Sequence, residues 1–244
     1  MTAAAGSTLA ARRLATHTSF LRSLGGSSFA GGVFASVVPS APGRSLFNAV
    51  TYEEASSLPP LLPELAALYA DAGVWAWTVW VLPGDDALTR ELAAAGHRLD
   101  GTPEGMGAPL ESLDLEGPDV AGAVSYDDVV ATNAAAYGVP AAEVDAMRVP
   151  GDAMRLYGAD GGAIVLGIHE HGGDAGVTYV AARPEARGRG LVGALLRQAL
   201  RDSLARGCTT TTLEATRLGR PVYERIGYRP LGTLQMWERR TPPK

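Results

Sequence analysis

The feature that most constrains the fold is the segment 177–205, where an apolar strand passes through an arginine- and glycine-rich turn into an amphipathic helix. Gly188 and Gly190 allow left-handed backbone conformations, so consecutive N–H groups can point into one concavity. The positive end of the helix dipole lies behind that concavity. Arg187 and Arg189 add full charges, which favour a diphosphate. The turn therefore predicts an anion site within an α/β fold.

The same turn contains a misleading match to a second motif. Gly188-x-Gly190-x-x-Gly193 fits the dinucleotide-binding fingerprint, and Glu214 could pass for its ribose-binding acid. In that fold the strand runs almost directly into the first glycine, whereas residues 183–187 intervene here. Only 30 residues follow Glu214, too few for the remaining parallel strands and their crossover helices. A phosphate P-loop is also excluded, because the sequence has no Gly-Lys-Ser/Thr.

The chain divides into two halves that share an order of predicted elements, which indicates an internal repeat. In each half a strand and a short helix lie between two glycines, and a ring-bearing residue follows the second glycine. We therefore expect a duplicated α/β unit. The offset of 130 to 134 residues is given by three pairs: Gly73 with Gly207, Gly96 with Gly227, and Met106 with Met236.

The segment Glu111–Ala123, rich in glycine, proline and acids, is the predicted linker. It places one domain at 1–115 and the second at 120–244. Helices are predicted at Leu9–Leu24, Leu61–Tyr69, Asp86–Ala95, Asp127–Tyr137, Leu191–Ala205 and Pro221–Ile226, and strands at Gly32–Val38, Ser45–Tyr52, Val74–Leu82, Ala163–His169, Val177–Ala182, Thr209–Ala215 and Tyr228–Glu238.

Two motifs of the second half resemble those of the GNAT superfamily of acyltransferases. The acetyl-CoA pattern Arg/Gln-x-x-Gly-x-Gly/Ala is matched from Arg187 onward, except at Val192, where the family prefers Gly or Ala. The second motif spans Gly219–Tyr228 and places Tyr223 four residues before a glycine and an aromatic residue. The resemblance covers roughly residues 120–240, with both motifs in order.

The resemblance implies an α/β fold with two GNAT-like lobes, each a mixed, mostly antiparallel sheet flanked by helices. The first lobe would be a degenerate copy, because Leu92 falls at the position of Tyr223 and no Arg/Gly turn precedes Leu61. One active site per chain is therefore expected, with acetyl-CoA as cosubstrate. The residues expected to bind acetyl-CoA are Val180, Ala181, Ala182, Arg187, Gly188, Arg189, Gly190, Leu191, Val192 and Tyr223.

The resemblance further implies that an amine of a small-molecule acceptor attacks the thioester directly. Tyr223, a phenol that stays protonated at neutral pH, is the predicted proton donor to the leaving thiolate. The attacking ammonium must lose a proton, and Glu170 and Glu214 are both candidate bases. His169 and His171 have no evident third ligand, so no metal is expected. A GNAT-shaped module that binds or senses acyl-CoA without turnover remains the alternative.

Composition limits the partners that the chain is expected to bind and the cellular compartment in which it is expected. A formal net charge of −5 argues against a nucleic-acid binder, which would carry a basic face. Residues 23–43 are uncharged, but their five glycines, five serines and two prolines make a poor spanning helix, so no membrane association is expected. The one cysteine, Cys208, excludes an intramolecular disulfide, and no export signal is evident; the expected location is cytoplasmic. Oligomeric state stays open.

Overall fold

A computed structural model of the protein describes residues 3–146, 148–149 and 151–241. Within these ranges seven α-helices and twelve strands alternate along the chain. The helices are α1 (Ala3–Ser23), α2 (Leu62–Asp71), α3 (Asp86–Ala94), α4 (Tyr126–Tyr137), α5 (Ala141–Asp145), α6 (Leu191–Ala205) and α7 (Arg220–Ile226). The strands are β1 (Gly26–Ser28), β2 (Phe34–Ser36), β3 (Ala49–Thr51), β4 (Ala76–Val81), β5 (Arg98–Gly101), β6 (Glu104–Pro109), β7 (Arg155–Ala159), β8 (Ile164–His171), β9 (Asp174–Ala182), β10 (Thr210–Ala215), β11 (Arg229–Thr233) and β12 (Gln235–Arg240).

The strands form two mixed sheets of six strands each, which confirms the predicted fold class. The first sheet has the order β1-β2-β3-β4-β12-β5, and the second has the order β7-β8-β9-β10-β6-β11. In each sheet the third and fourth strands are parallel, β3 with β4 and β9 with β10. The pairs on either side of the parallel pair are antiparallel. The two sheets therefore have the same order and direction of strands around the parallel pair, which is the structural counterpart of the internal repeat.

Each sheet takes its fifth strand from the other half of the chain. Strand β6 lies beside β10 in the second sheet, and β12 lies between β4 and β5 in the first. Met106 and Met236, a pair already matched in the sequence, occupy these two exchanged strands. The two exchanged strands are therefore equivalent elements of the internal repeat.

The chain accordingly forms two compact units that are not contiguous in sequence. One unit combines the N-terminal segment up to Ser19 with Glu104–Leu231, and the other combines Phe20–Pro103 with the segment from Gly232 onward. These units differ from the contiguous ranges 1–115 and 120–244 that we predicted. The reason is the strand exchange, which places β6 in the second sheet and β12 in the first. Sequence spacing gives no signal for such pairing.

In the unit that contains the second sheet, the two faces of β10 meet different partners because successive side chains alternate. Leu213 packs into the apolar core formed with α6, whereas Thr210 and Thr212 donate hydrogen bonds to the buried carboxylate of Asp174. Helix α6 buries four apolar side chains against the sheet, Leu195, Leu196, Ala199 and Leu200. Each buried leucine contributes about 1.5–3 kcal/mol, which fixes the helix N-terminus relative to β9.

The other unit has an apolar core of the same design. All six residues of β4 are buried, as a strand covered on both faces requires. The ring of Trp77 on this strand stacks on Tyr69 of α2, with centroids 4.8 Å apart. No described helix of the chain is both long and apolar enough to cross a membrane.

Candidate active site

The turn between β9 and α6 adopts the conformation expected of an anion site. Gly188 and Gly190 each have φ of +75°, and a Cβ at either position would meet no protein atom within 4 Å. Gly190 is the N-cap of α6, without a side-chain capping bond. Among the described residues, no acceptor receives a hydrogen bond from the backbone N–H groups of Gly188 to Gly193. A run of unpaired donors at the start of a 15-residue helix suits a diphosphate.

The arginines around this turn are hydrogen-bonded within the protein. Arg187 donates from Nε to the carbonyl of Ala182 at 3.1 Å and from Nη2 to the carbonyl of Ala136 at 3.2 Å. Arg189 forms a 2.6 Å ion pair with Asp160. Both pairs are exposed, so these side chains can change partners when an anion arrives.

Strands β9 and β10 separate beside the turn. Their parallel ladder runs from the pair Thr210 with Asp174 to the pair Leu213 with Val177 and ends there, although β9 continues to Ala182. We call the space beyond the last pair the β9/β10 cleft. Such a separation leaves one edge of β9 without a partner strand, where an extended ligand could pair with the backbone.

A distortion in β9 accompanies the separation. Tyr179 has φ of +50°, which is unusual for a bulky residue. The register against β8 shifts at the same place, from Gly167 opposite Thr178 to Val165 opposite Ala181. One additional residue on β9 therefore forms a β-bulge, which bends the strand locally.

Along the end of β9, the backbone N–H and C=O groups of successive residues point alternately toward β8 and toward the cleft. The N–H of Arg183 donates to the carbonyl of Ala163, so Arg183 and Ala181 direct their backbone groups toward β8. Val180 and Ala182 direct theirs toward the cleft. Of the three strand residues predicted to bind the cofactor, Val180 and Ala182 can therefore pair with it through their main chains. The buried Ala181 forms the wall behind them.

Tyr223 lies on α7, the helix that follows β10 in the chain. Its side chain is 7% exposed and packs edge-to-face against Tyr228, with ring centroids 5.8 Å apart. A Cβ at Gly219 would lie 3.1 Å from this ring, so the glycine permits the close approach. Burial raises the pKa of Tyr223 above its usual value, with a smaller contribution from Tyr137. The phenol therefore stays protonated at neutral pH and can act as a donor.

Val192, the departure from the acetyl-CoA pattern, does not obstruct the turn. Its side chain and that of Leu191 are half-buried and pack against the apolar core. The backbone N–H groups of both residues belong to the free set described above. The residue at this position therefore contributes its main chain to the anion site, and the valine side chain is tolerated.

Comparison with known proteins shows what this arrangement is similar to. Residues 173–231, which contain β9, the Arg/Gly turn, α6, β10 and α7, match the model of an acetyltransferase (GNAT) domain. A GCN5-related N-acetyltransferase from Kribbella flavida has the same fold, with a TM-score of 0.69 and 17% identity over 96% of both chains. Residues 173–231 are therefore similar to a GNAT domain, and the chain has the fold of GNAT structures.

Other GNAT structures have a similar fold. A tandem GNAT protein from the clavulanic acid biosynthesis pathway aligns with a TM-score of 0.52 and 17% identity, over 80% of this chain and 75% of that one. A member of the GNAT family from Novosphingobium aromaticivorans aligns with a TM-score of 0.54 and 20% identity, over 90% and 96% of the two chains. No curated protein matches the sequence.

Glu170, one of the two candidate bases, lies away from the GNAT motifs. It is opposite Ala175 on β9, seven residues and roughly 20 Å before the end of the strand at Ala182. Arg206 holds it through two nitrogens, at 2.6 and 2.9 Å. Although burial opposes ionisation, this guanidinium lowers the pKa of Glu170. The structure therefore separates Glu170 from the cleft and gives it an ion-pairing role at the C-terminal end of α6.

Glu214, the other candidate, is the first residue of β10 beyond the ladder with β9. It points to the face of the sheet opposite Leu213, where Arg13 contacts it at 2.6 Å and His17 Nδ1 lies 3.5 Å away. Burial opposes ionisation of this carboxyl, but His17 and Arg13 together lower its pKa to about 2. Glu214 is thus at the mouth of the cleft and is an ionised anion at neutral pH.

The low pKa of Glu214 predicts a loss of stability in acid. Its value is about 2 in the folded chain against 4.5 for the free side chain. A carboxyl with a depressed folded pKa stabilises the fold above pH 4.5, and this contribution disappears as the pH falls toward 2. We expect the stability difference between the native protein and Glu214→Gln to shrink by about 3 kcal/mol across that interval, measured by urea unfolding. A difference that stays constant from pH 5 to pH 2.5 would contradict this assignment.

The two histidines considered as metal ligands both lie on β8, but their surroundings differ. His169 is buried and is hydrogen-bonded to the carbonyl of Ala153 and the hydroxyl of Ser19, at 2.6 and 3.0 Å. Its neighbour His171 is exposed at the end of the strand. Within the described ranges, no group of three or more His, Cys, Asp or Glu side chains is arranged to hold a metal ion.

Proposed function

We propose that this chain is an N-acetyltransferase that moves an acetyl group from acetyl-CoA to an amine of a small-molecule acceptor by direct attack. The observation that carries the proposal is the end of the β9/β10 ladder next to six free backbone donors. An extended ligand with a diphosphate at one end fits that arrangement. Acetyl-CoA would supply the acetyl group as an activated thioester, and CoA would leave as the free thiol.

The residues that would hold acetyl-CoA divide by chemistry. The N–H groups of Gly188 to Val192 would bind the pyrophosphate, with Arg187 and Arg189 neutralising its charge. The main-chain groups of Val180 and Ala182 would pair with the amides of the pantetheine arm, as in the addition of a strand to an open sheet edge. The ligand is thereby positioned by backbone geometry, which side-chain substitutions alter little.

Tyr223 would donate the proton that the departing thiolate needs. Its raised pKa keeps the phenol protonated, so the hydroxyl is available to the sulfur as negative charge develops there, and the phenol would recover its proton from solvent. Glu214 is held on the opposite face of the sheet from Leu213 in an ion pair with Arg13. With a pKa of about 2, it can receive a proton only transiently, so solvent would carry the amine proton away.

One active site per chain is proposed, because the equivalent position in the first sheet is closed. Tyr52 follows β3 and is 1% exposed; its hydroxyl accepts from the N–H of Leu82 at 2.9 Å and donates to Asp85 at 2.7 Å. A side chain therefore bridges the strand ends that diverge in the second sheet. Leu92, at the position of Tyr223, is fully buried and offers no proton.

Removing this bridge should destabilise the protein without altering catalysis. Tyr52→Phe loses two hydrogen bonds and leaves the N–H of Leu82 without its partner, which costs about 1–3 kcal/mol in the free energy of unfolding. Urea unfolding and acetyl-CoA titration would be measured together. Weaker acetyl-CoA binding in Tyr52→Phe would count against the assignment of a single site to the second sheet.

A cytoplasmic location is proposed from the chemistry of Cys208. The thiol is buried, and burial raises its pKa to about 11, so it is a packed side chain without a disulfide partner. Such a protein has no dependence on an oxidising compartment.

A binding or sensing module for acyl-CoA is the second candidate function. The observation in its favour is that both candidate bases are held in ion pairs, Glu170 with Arg206 and Glu214 with Arg13. Release of free thiol from acetyl-CoA, assayed across a panel of small amines, separates the two functions. Turnover with any amine supports the enzyme; tight binding of acetyl-CoA without turnover supports the module, and absence of binding excludes both.

A further inference from the structure

The two carbonyls of β9 that face the cleft are both hydrogen-bonded by side chains of the protein itself. The Tyr137 hydroxyl donates to the carbonyl of Val180 at 2.8 Å, and Arg187 Nε donates to the carbonyl of Ala182 at 3.1 Å. These are the main-chain groups that β10 would have paired had the ladder continued. The side chains thus satisfy an edge that would otherwise carry unpaired polar groups.

Both donors are tied to the last turn of α4. Tyr137 is the final residue of this helix, and Arg187 also donates from Nη2 to the carbonyl of Ala136, at 3.2 Å. The helix ends at Gly138, whose left-handed conformation, φ of +65°, terminates the backbone hydrogen bonding. The end of α4 is therefore held to β9 by contacts of two side chains, in a region the sequence motifs do not include.

These contacts are arranged so that they can break without opening the core. Tyr137 is 58% exposed, and the hydrogen bond of Arg187 is at the surface. By contrast, Asn133, one turn earlier on α4, is buried and donates to the carbonyls of Val129 and Tyr179. The helix is anchored by Asn133, while its last residue can swing.

We propose that Tyr137 is a latch on the acyl-CoA site that sets its affinity. In the free protein the Tyr137 hydroxyl donates a hydrogen bond to the carbonyl of Val180. When acyl-CoA enters, an amide N–H of its pantetheine arm replaces the hydroxyl as the donor to this carbonyl. This inference rests on the proposed use of acyl-CoA. Arg187 also donates to a cleft-facing carbonyl, but it has the opposite effect on the affinity for acyl-CoA. When released, its guanidinium can pair with the diphosphate, whereas the released phenol is hydrogen-bonded only by water.

Titration calorimetry with acetyl-CoA tests the latch. Tyr137→Phe removes the competing donor but keeps the ring, so acetyl-CoA should bind about three- to tenfold more tightly than to the native protein. Arg187→Gln should bind it more weakly. Tyr157→Phe is the matched control, since the Tyr157 hydroxyl on β7 donates to Asp202 and its loss should leave the Kd unchanged.

The outcomes separate the latch from the proposed function. Binding by the native protein with an unchanged or weaker affinity in Tyr137→Phe overturns the latch and leaves the proposed function standing. No binding by either protein overturns both. Hydrogen exchange provides a second measurement: acetyl-CoA should slow exchange at 188–193 and speed it at Gly138 and Val139, whose N–H groups donate to Ala134. Slower exchange at both places would also overturn the latch.

Discussion

Tyr223→Phe is expected to lower kcat for acetyl transfer by about 10²–10⁴, while the Kd for acetyl-CoA stays within a factor of about two. The substitution deletes one hydroxyl from a ring that keeps its packing against Tyr228 and Gly219. Among the described residues nothing hydrogen-bonds this hydroxyl, so its loss leaves no buried partner unsatisfied. The expected defect is therefore in proton transfer and not in folding.

Tyr228→Phe is the matched control for this experiment. The two rings are neighbours, but the Tyr228 hydroxyl is hydrogen-bonded to Thr211 at 2.7 Å and is buried. Its removal should cost stability and leave kcat nearly unchanged. Equal rates for Tyr223→Phe and the native protein, with an amine that turns over, would assign the proton donor to another group or to water.

The second large effect is expected at the Arg/Gly turn. Gly190→Asp should weaken acetyl-CoA binding at least about 100-fold, because a carboxylate among the free N–H groups repels the pyrophosphate and competes for its donors. Gly190→Asn has the same size and tolerates the left-handed conformation equally well, so it should lose far less affinity. The difference between the two variants isolates the charge.

Gly207 supplies the control for backbone strain. It follows the opposite end of α6, has φ of +97°, and has open space around it. Gly207→Asp and Gly207→Asn should change the unfolding free energy by amounts similar to those at Gly190 and leave the Kd unchanged. If Gly190→Asp and Gly190→Asn bind acetyl-CoA equally well in a calorimetric titration, the turn is not the pyrophosphate site.

The sequence was sufficient to predict the secondary structure and the turn conformation of the candidate site where its parts lie close together along the chain. The Arg/Gly turn, the helix after it and Tyr223 are all within 177–226, and their spacing determines their geometry. The strand residues expected to bind acetyl-CoA followed from the family resemblance, and the bulge at Tyr179 accompanies the end of the β9/β10 ladder beside them. Glycine at 188 and 190 was informative because few other residues adopt those conformations.

The long-range contacts could not be predicted, because they depend on residues far apart in the chain. Arg13 meets Glu214, 201 residues away, and Tyr137 meets Val180, 43 residues away. Both contacts change the chemistry of a candidate residue, and neither has a local pattern. Strand β7 was also missed, since Arg155–Ala159 has no clear alternation of apolar and polar side chains.

The exchanged strands have a consequence for how the protein folds during synthesis. The first sheet needs β12 between β4 and β5, but the ribosome makes β12 only after every strand of the second sheet. Domains generally fold in order as they emerge, N-terminal first. Here the first sheet must wait with a missing strand, and its exposed edges at β4 and β5 are open to wrong pairing until the C-terminal segment arrives. The second sheet, made last, is the one that can close first.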